Sequence, residues 1–201
     1  MNFLSIDCSM NIGSLFVKIE NKTFSKVLQS DKSNNDLLMK QILDFLKENN
    51  LKFDDISKIF VNQGPGNFSG LRVSLAIAKG VSLSKNLNLF GYNTFIWTCV
   101  KFFKKKNFIY SLIKFREKYF IKKFDGNLNS MLKLEEIGED EIIKKYDNKF
   151  KVIPKNMVKC FGEKILKLNN LSIVDLDHNE LEFLKLKGLL DEDLIKPLYL
   201  S

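Results

Sequence analysis

Gln63-Gly64-Pro65-Gly66-Asn67-Phe68-Ser69-Gly70-Leu71-Arg72-Val73 is the stretch of this 201-residue chain whose residue types and spacing could do chemistry. Gly64 and Gly66 reach backbone torsions closed to residues with a Cβ, and Pro65 stiffens the turn between them. Backbone N–H groups at the start of a helix from Gly70 would point into such a loop and attract an anion such as phosphate. The loop has no lysine–hydroxyl pair at P-loop spacing, so a purely structural strand-to-helix turn, with Phe68 packed as a plug, stands beside nucleotide contact. Catalysis by metal or nucleophile has less to work with. His178 is the one histidine, too few for a ligand pair. There is no Gly-x-Ser-x-Gly elbow, and a lone histidine supports no cysteine–histidine nucleophile. Cys8, Cys99 and Cys160 are odd in number, far apart and outside C-x-x-C spacing, which argues against a disulfide framework or a zinc site and for a reducing cytoplasm. Cys8, on a strand, is read as an inert packing thiol.

The elements that must position this loop are legible from periodicity. Leu4 to Asp7 and Gly13 to Ile19 read as a hairpin joined through Asn11, Ile12 and Gly13, and Lys22 to Leu28 as a third strand. From Asn34 to Asn49 the period becomes helical, with apolar residues at Leu38, Ile42, Phe45 and Leu46 and N-cap candidates at Asn34, Asn35 and Asp36. Ile56 to Asn62 is a β-branched run ending at the glycine loop, Gly70 to Asn86 a long helix, and Leu87 to Tyr92 another strand. This βββαβαβ succession predicts an α/β layer fold whose sheet begins antiparallel and finishes parallel. Strands at Phe108 to Phe115 and Lys118 to Phe124 follow, then a helix at Glu139 to Tyr146 and a strand near Phe150 to Ile153. A helix near Glu163 to Leu168, a strand at Leu171 to Leu176 and a helix near Glu180 to Lys187 complete the chain. No repeat is evident. The lobe boundary is placed near Cys99 to Lys106, giving lobes of 1–99 and 100–201.

No apolar run approaches the roughly 18 residues that span a bilayer, and the first twenty residues resemble neither a signal peptide nor an anchor, so no membrane partner is expected. The formal net charge of +8 admits nucleic acid as a partner. Because the lysines are spread along the whole chain, the charge is read as a solvated surface in preference to a built groove. Arg72 and Arg116 are the only arginines and stand out, since a guanidinium fork cannot be replaced by an ammonium.

The glycine stretch, continuing through Ala76-Ile77-Ala78-Lys79-Gly80 to Leu89-Phe90-Gly91-Tyr92, resembles the G-P-G-S-F-T-G-L-R signature of the TsaB (YeaZ-like) family. Ile6-Asp7-Cys8-Ser9 resembles the family's opening I-D-T-S, Pro197-Leu198-Tyr199-Leu200 its closing P-x-Y-L, and Arg116-Glu117 with Tyr119 its R-x-E-x-Y-like hairpin. The resemblance covers the first 95 or so residues well and the remainder thinly. Cys8 departs from the family's threonine, and Asn34 stands where a histidine is usual. The resemblance implies an actin-like, sugar-kinase-like (ribonuclease H-like) mixed sheet flanked by helices, in two lobes with the second reduced. It also implies a non-catalytic subunit of the bacterial tRNA threonylcarbamoyladenosine machinery, pairing with a TsaD-type catalytic subunit. A TsaE-type ATPase subunit and, indirectly, tRNA complete the implied assembly, and a homodimer is a further expectation.

The family loop is expected to comprise Asp7, Gly64, Pro65, Gly66, Phe68, Ser69, Gly70 and Arg72, in a structural role or with weak nucleotide contact. In actin-like ATPases an acidic residue placed like Asp7 helps hold the metal–phosphate unit, but the second glycine-rich phosphate loop is not found in residues 99–201. No intrinsic cofactor and no metal are therefore expected, with ATP or ADP bound only weakly or at the partner interface. The two histidines of TsaD-type subunits are replaced here by Thr94 and Thr98. Gly70, Ser74, Ala78 and Ser82 recur every four residues beside Val73, Ile77 and Val81, a small ridge of the kind along which helices approach closely. With Leu37, Met39 and Leu43, which widen the apolar face of the preceding helix, they form the expected partner interface. In the TsaB family the corresponding helices pair with those of a second copy or of TsaD. The alternatives are coverage of both faces within the monomer and, for function, a small actin-fold ATPase or kinase or a glycoprotease-like (M22-type) enzyme.

Overall fold

The computed structural model describes residues 1–10, 12–28 and 37–200. Two compact units divide them: residues 1–93 with 181–201, and residues 94–180. Asn11 of the hairpin turn and the N-cap candidates Asn34, Asn35 and Asp36 lie outside the described residues.

In unit 1, β1 (Phe3–Asp7), β2 (Gly13–Ile19) and β3 (Lys22–Leu28) form an antiparallel meander. β1 then pairs in parallel with β4 (Lys58–Asn62), and β4 with β5 (Asn88–Tyr92), in the order β3-β2-β1-β4-β5. The sheet thus begins antiparallel and finishes parallel, as the element order predicts. Alternation gives it two different faces. Leu4, Ile6, Leu15, Val17, Ile59 and Val61 meet α1 (Leu38–Glu48) and α2 (Phe68–Lys85) on one side. On the other face Phe3 stacks on Phe16 and packs edge-on to Phe60, with centroids at 5.7 and 4.9 Å, while Phe90 lies 5.5 Å from Phe60. Such aromatic pairs contribute beyond their buried area.

Unit 2 opens with α3 (Thr94–Cys99), whose six side chains are all buried. Its sheet contains β6 (Phe108–Phe115), β7 (Lys118–Asp125), β8 (Glu135–Ile137), β9 (Lys151–Pro154) and β10 (Leu171–Val174). β6–β7 and β7–β8 are antiparallel, β6–β9 and β9–β10 parallel. With α4 (Glu139–Tyr146) before β9 and α5 (Glu163–Leu166) before β10, the second sheet repeats the first strand for strand. The duplication is one of topology and has no counterpart in sequence. Its element corresponding to α2 has shrunk from 18 residues to four. The β6–β7 connection is only Arg116–Glu117, with Arg116 at φ 55° and no glycine.

Lys151 is wholly buried at the start of β9, where its ammonium donates to the carbonyls of Tyr146, Asp147, Lys149 and Asn169 at 2.5–2.8 Å. Burial lowers its pKa from the ordinary lysine value, and the Asp147 carboxylate opposes that shift.

The chain does not stay in the second unit from residue 100 to its end. α6 (Glu180–Leu186) leads back, and Gly91 and Asp191 exchange backbone hydrogen bonds of 2.7 and 2.9 Å. The Leu198 amide donates to the Gln63 carbonyl at 2.7 Å, and Ile195 enters the first core. Residues 181–201 therefore belong with unit 1, and α3 with unit 2, where the sequence division at 99/100 has them the other way. Backbone pairing to β5 and to the end of β4 is the physical reason, and it leaves no periodic signature in the tail.

Candidate functional site

β1 and β4 run parallel, so Asp7 and Asn62 end together at the carboxyl end of these two inner strands, where α/β folds place their ligands. A chain of hydrogen bonds joins them. Asp7 Oδ1 accepts from the Ser9 amide at 2.9 Å and the Ser9 hydroxyl at 2.7 Å, and Asn62 Nδ2 donates to the same hydroxyl at 3.2 Å. Asn62 Oδ1 accepts from the Gly64 amide at 2.8 Å, and the Asn67 amide donates to the Ser9 carbonyl at 2.7 Å. Asp7, Ser9 and Asn62 are all buried.

The glycines permit this approach. A Cβ on Gly66 would sit 1.8 Å from the Ser9 carbonyl oxygen, and one on Gly70 2.3 Å from that of Cys8. Gly64, at φ +107°, precedes Pro65 through a cis peptide. The loop is thus filled by the backbone of Cys8 and Ser9. Two donors at the start of α2 are already engaged: the Asn67 amide by Ser9, and the Ser69 amide by the Asn67 side chain at 3.2 Å. Burial, with a smaller contribution from Asp7, pushes the Cys8 thiol up to about 12. That is the behaviour of an inert packing residue. Burial and Asp7 likewise raise Tyr92 well above the usual tyrosine value.

Phe68 is no plug. Its ring is 52% exposed, lies 5.0 Å from the ring of Tyr199, and carries the Arg72 guanidinium 5.0 Å above its centroid. The closing Pro197-Leu198-Tyr199 segment therefore packs on the glycine loop, a contact between distant parts of the chain that local patterns do not signal. Arg116, the other arginine, sits over Phe115 at 5.5 Å. Ser9, Asn62 and Tyr199 are the members of this site that residue-type reasoning left unassigned.

No group of three or more histidine, cysteine, aspartate or glutamate side chains that could hold a metal occurs among the described residues. His178 is half-buried against Trp97 at 4.9 Å. Thr94 and Thr98 are buried in α3, the Thr98 hydroxyl donating back to the Thr94 carbonyl at 2.6 Å.

The helix surface differs from the expected one. Gly70, Ser74, Ala78 and Val81 are buried against unit 1's own sheet, so the small ridge is a core contact and cannot be the interface. The reason is register: the row every four residues from Gly70 faces the strands, while the row one-half turn away, Ala76, Gly80 and Ser84, faces out. Small residues in both rows give no sign of which side meets solvent. Val73, Ile77, Ser82 and Met39 are half-buried, and Leu37, Leu43 and Leu83 are 46, 47 and 84% exposed. Ala78→Arg is accordingly expected to unfold unit 1, because it forces a long cation into a packed core. A thermal melt checks this, and a variant that melts like the parent would place Ala78 outside that core.

The two five-stranded mixed sheets and their flanking helices define a mixed α/β protein. YeaZ from Pseudomonas aeruginosa shares the fold, with a TM-score of 0.71 over 99% of both chains at 15% identity. A family model described as "TsaD: tRNA N6-adenosine threonylcarbamoyltransferase" matches residues 28–109, which include α1, the glycine loop and α2. A "tRNA threonylcarbamoyladenosine biosynthesis protein TsaB" of Buchnera aphidicola subsp. Baizongia pistaciae is 36% identical over 86 residues, 42% of this chain and 38% of that protein. Its namesake from Buchnera aphidicola subsp. Acyrthosiphon pisum is 23% identical over 131 residues, 64% of this chain and 59% of its own length. The matches thus span from about two-fifths to three-fifths of those relatives. Over these spans the chain is similar to proteins of the TsaB (YeaZ-like) family.

Proposed function

We propose that this chain is a non-catalytic subunit in tRNA threonylcarbamoyladenosine biosynthesis and docks on a TsaD-type catalytic subunit through the outer faces of α1 and α2. The observation that carries the reading is an apolar surface built around small residues. α1 and α2 touch on one face of the sheet, and beyond it they leave Leu43 and the Ala76–Gly80 row exposed, with Val73 and Ile77 half-buried beside them. Gly80 sharpens the point. A Cβ there would meet nothing within 4 Å, so alanine would fit and would favour the helix by up to about 1 kcal/mol. A glycine held at an exposed mid-helix position lets another backbone come close. The names of the relatives supply the pathway, and a TsaE-type ATPase subunit, tRNA and a second copy of this chain are the further partners of that assembly.

Catalysis is assigned to the partner, because Thr94 and Thr98 offer no imidazole where the family's catalytic subunits carry two. The ATPase or kinase reading draws less support, since Asp7 Oδ1 is engaged by Ser9 and the β6–β7 turn has no glycine. ATP or ADP would find at most the exposed Phe68, Arg72 and Tyr199 cluster, and bind weakly. The glycoprotease-like reading lacks a nucleophile with its base. No helix among the described residues is long and apolar enough to cross a membrane. Co-purification with a tagged TsaD-type protein tests the proposal. Gly80→Arg is expected to abolish recovery while leaving the melting temperature of the free chain within a few degrees, as for surface changes. Unchanged recovery overturns the docking face, and ATP turnover by the isolated chain that Asp7→Asn removes would restore the enzyme.

A further inference from the structure

We propose that unit 2 itself binds RNA, at the end of its sheet where β6 begins and β7 ends. The inference rests on the proposed function for its partner class and on unit 2 alone for its geometry. Net charge along the whole chain says little, but its placement is uneven: residues 101–123 contain nine basic side chains and one acidic one, Glu117. The structure sorts seven of these nine by ion pairing. At the β6–β7 turn Lys114 and Lys118 are paired with Glu117 and Glu136 at 3.6 and 2.9 Å, and Lys101 lies 4.0 Å from Glu180. At the opposite end Lys104, Lys105, Lys106 and Lys123 form no ion pair among the described residues.

Three of those four ammonium groups lie over aromatic rings. The Lys123 ammonium lies 4.0 Å from the centroid of Phe108, Lys106 4.6 Å from that of Phe150, and Lys104 5.7 Å from that of Phe103. Phe108 is 47% exposed. The loop carrying Lys104–Lys106 is fixed to the β7 turn by the Lys104 amide donating to the Gly126 carbonyl at 2.7 Å, so it stands beside the strands on a set path. Asp125, the neighbouring carboxylate, is turned onto the Asn127 and Asn129 amides and the Asn129 side chain.

Unpaired lysines gain affinity by displacing counterions from phosphates, and the exposed ring of Phe108, beside the half-buried Phe103 and Phe150, gives an unstacked base a surface to stack on. The rings decide between polyanions. An acidic peptide or a layer of phospholipid headgroups would engage the cations and leave the exposed Phe108 ring with nothing flat to meet. A looped or single-stranded RNA supplies both phosphates and bases, whereas a blunt duplex hides its bases.

Fluorescence anisotropy of the full chain with a labelled oligouridine of about twelve nucleotides tests this. Binding is expected to weaken with salt along a log–log slope of about −3, from roughly 0.7 for each of four phosphates. Lys105→Glu with Lys106→Glu should weaken binding about tenfold or more and roughly halve the slope. Phe108→Ala should cost about tenfold with the slope kept. Lys114→Glu with Lys118→Glu, at the paired end, should change neither. Circular dichroism on each variant confirms folding, and Lys105→Gln with Lys106→Gln substitutes for a charge reversal that unfolds. An equal loss at the paired end, a slope near zero, or tighter binding to phosphatidylserine vesicles than to RNA overturns the proposal. Co-purification with the TsaD-type protein, run on the same variants, should be unaffected. Its loss across all samples would instead count against the docking face, with RNA binding still read separately.

Discussion

Gly66→Ala is expected to cost unit 1 more than about 4 kcal/mol, the range reached by severe core disruptions, and in practice to leave little folded protein. The added Cβ would lie 1.8, 2.5 and 2.8 Å from the oxygen, carbon and Cα of Ser9. All three are backbone atoms, so no rotamer can relieve the overlap. Separating the two segments would break the Asn67 to Ser9 hydrogen bond and with it the contact that ties the end of β1 to the start of α2. Gly80→Ala is the internal control. It changes a glycine of the helix that follows the loop to the same residue, and is expected to raise stability by up to about 1 kcal/mol. Urea unfolding of both variants measures the contrast, and a Gly66→Ala protein within about 1 kcal/mol of the parent would mean that the glycine loop is not packed on Ser9.

Lys151→Met is expected to destabilise the protein by more than about 3 kcal/mol, since each charge-assisted hydrogen bond contributes about 1.5–3 kcal/mol and a buried acceptor left unpaired carries its own desolvation cost. Methionine nearly matches the volume of lysine, so the loss is not one of packing. It falls on the carbonyls of Tyr146, Asp147, Lys149 and Asn169, which converge on one ammonium and tie the connection before β9 to the turn before β10. Lys118→Met, removing an exposed lysine whose partner Glu136 is also exposed, is expected to cost no more than about 1 kcal/mol. Similar losses for the two variants in urea would show that the carbonyl cage contributes nothing special.

Much of unit 1 was readable because its signals are local. Alternation over Gly13 to Ile19, the helical stripe through Leu38, Ile42, Phe45 and Leu46, and the paired glycines after Asn62 each state one element, and the structure contains all of them. What depended on tertiary placement was not readable. Thr94 to Cys99 is rich in β-branched and aromatic residues, yet it forms a helix because all six side chains are buried. β8 is a three-residue strand that begins with two glutamates and exists through its pairing with Tyr119 to Ile121. Lys151 reads as a surface residue until its carbonyl acceptors are known. The candidate interface shows the same limit: the glycine, serine and alanine spacing marked α2 correctly as a close-packing helix, but two rows of small residues run along it and only the fold says which one meets the sheet. The site loop was found from its glycines, whereas the aromatic stack of Phe68 and Tyr199 joins residues more than a hundred positions apart.

The outer faces of α1 and α2 are the docking surface proposed for a catalytic partner. Hydrogen–deuterium exchange of the chain, alone and saturated with a TsaD-type subunit, addresses this directly. Slowed exchange is predicted over residues 37–48 and 68–85, with the start of β6 and the end of β7 unchanged. Protection confined to unit 2, or none at saturating partner, would contradict it.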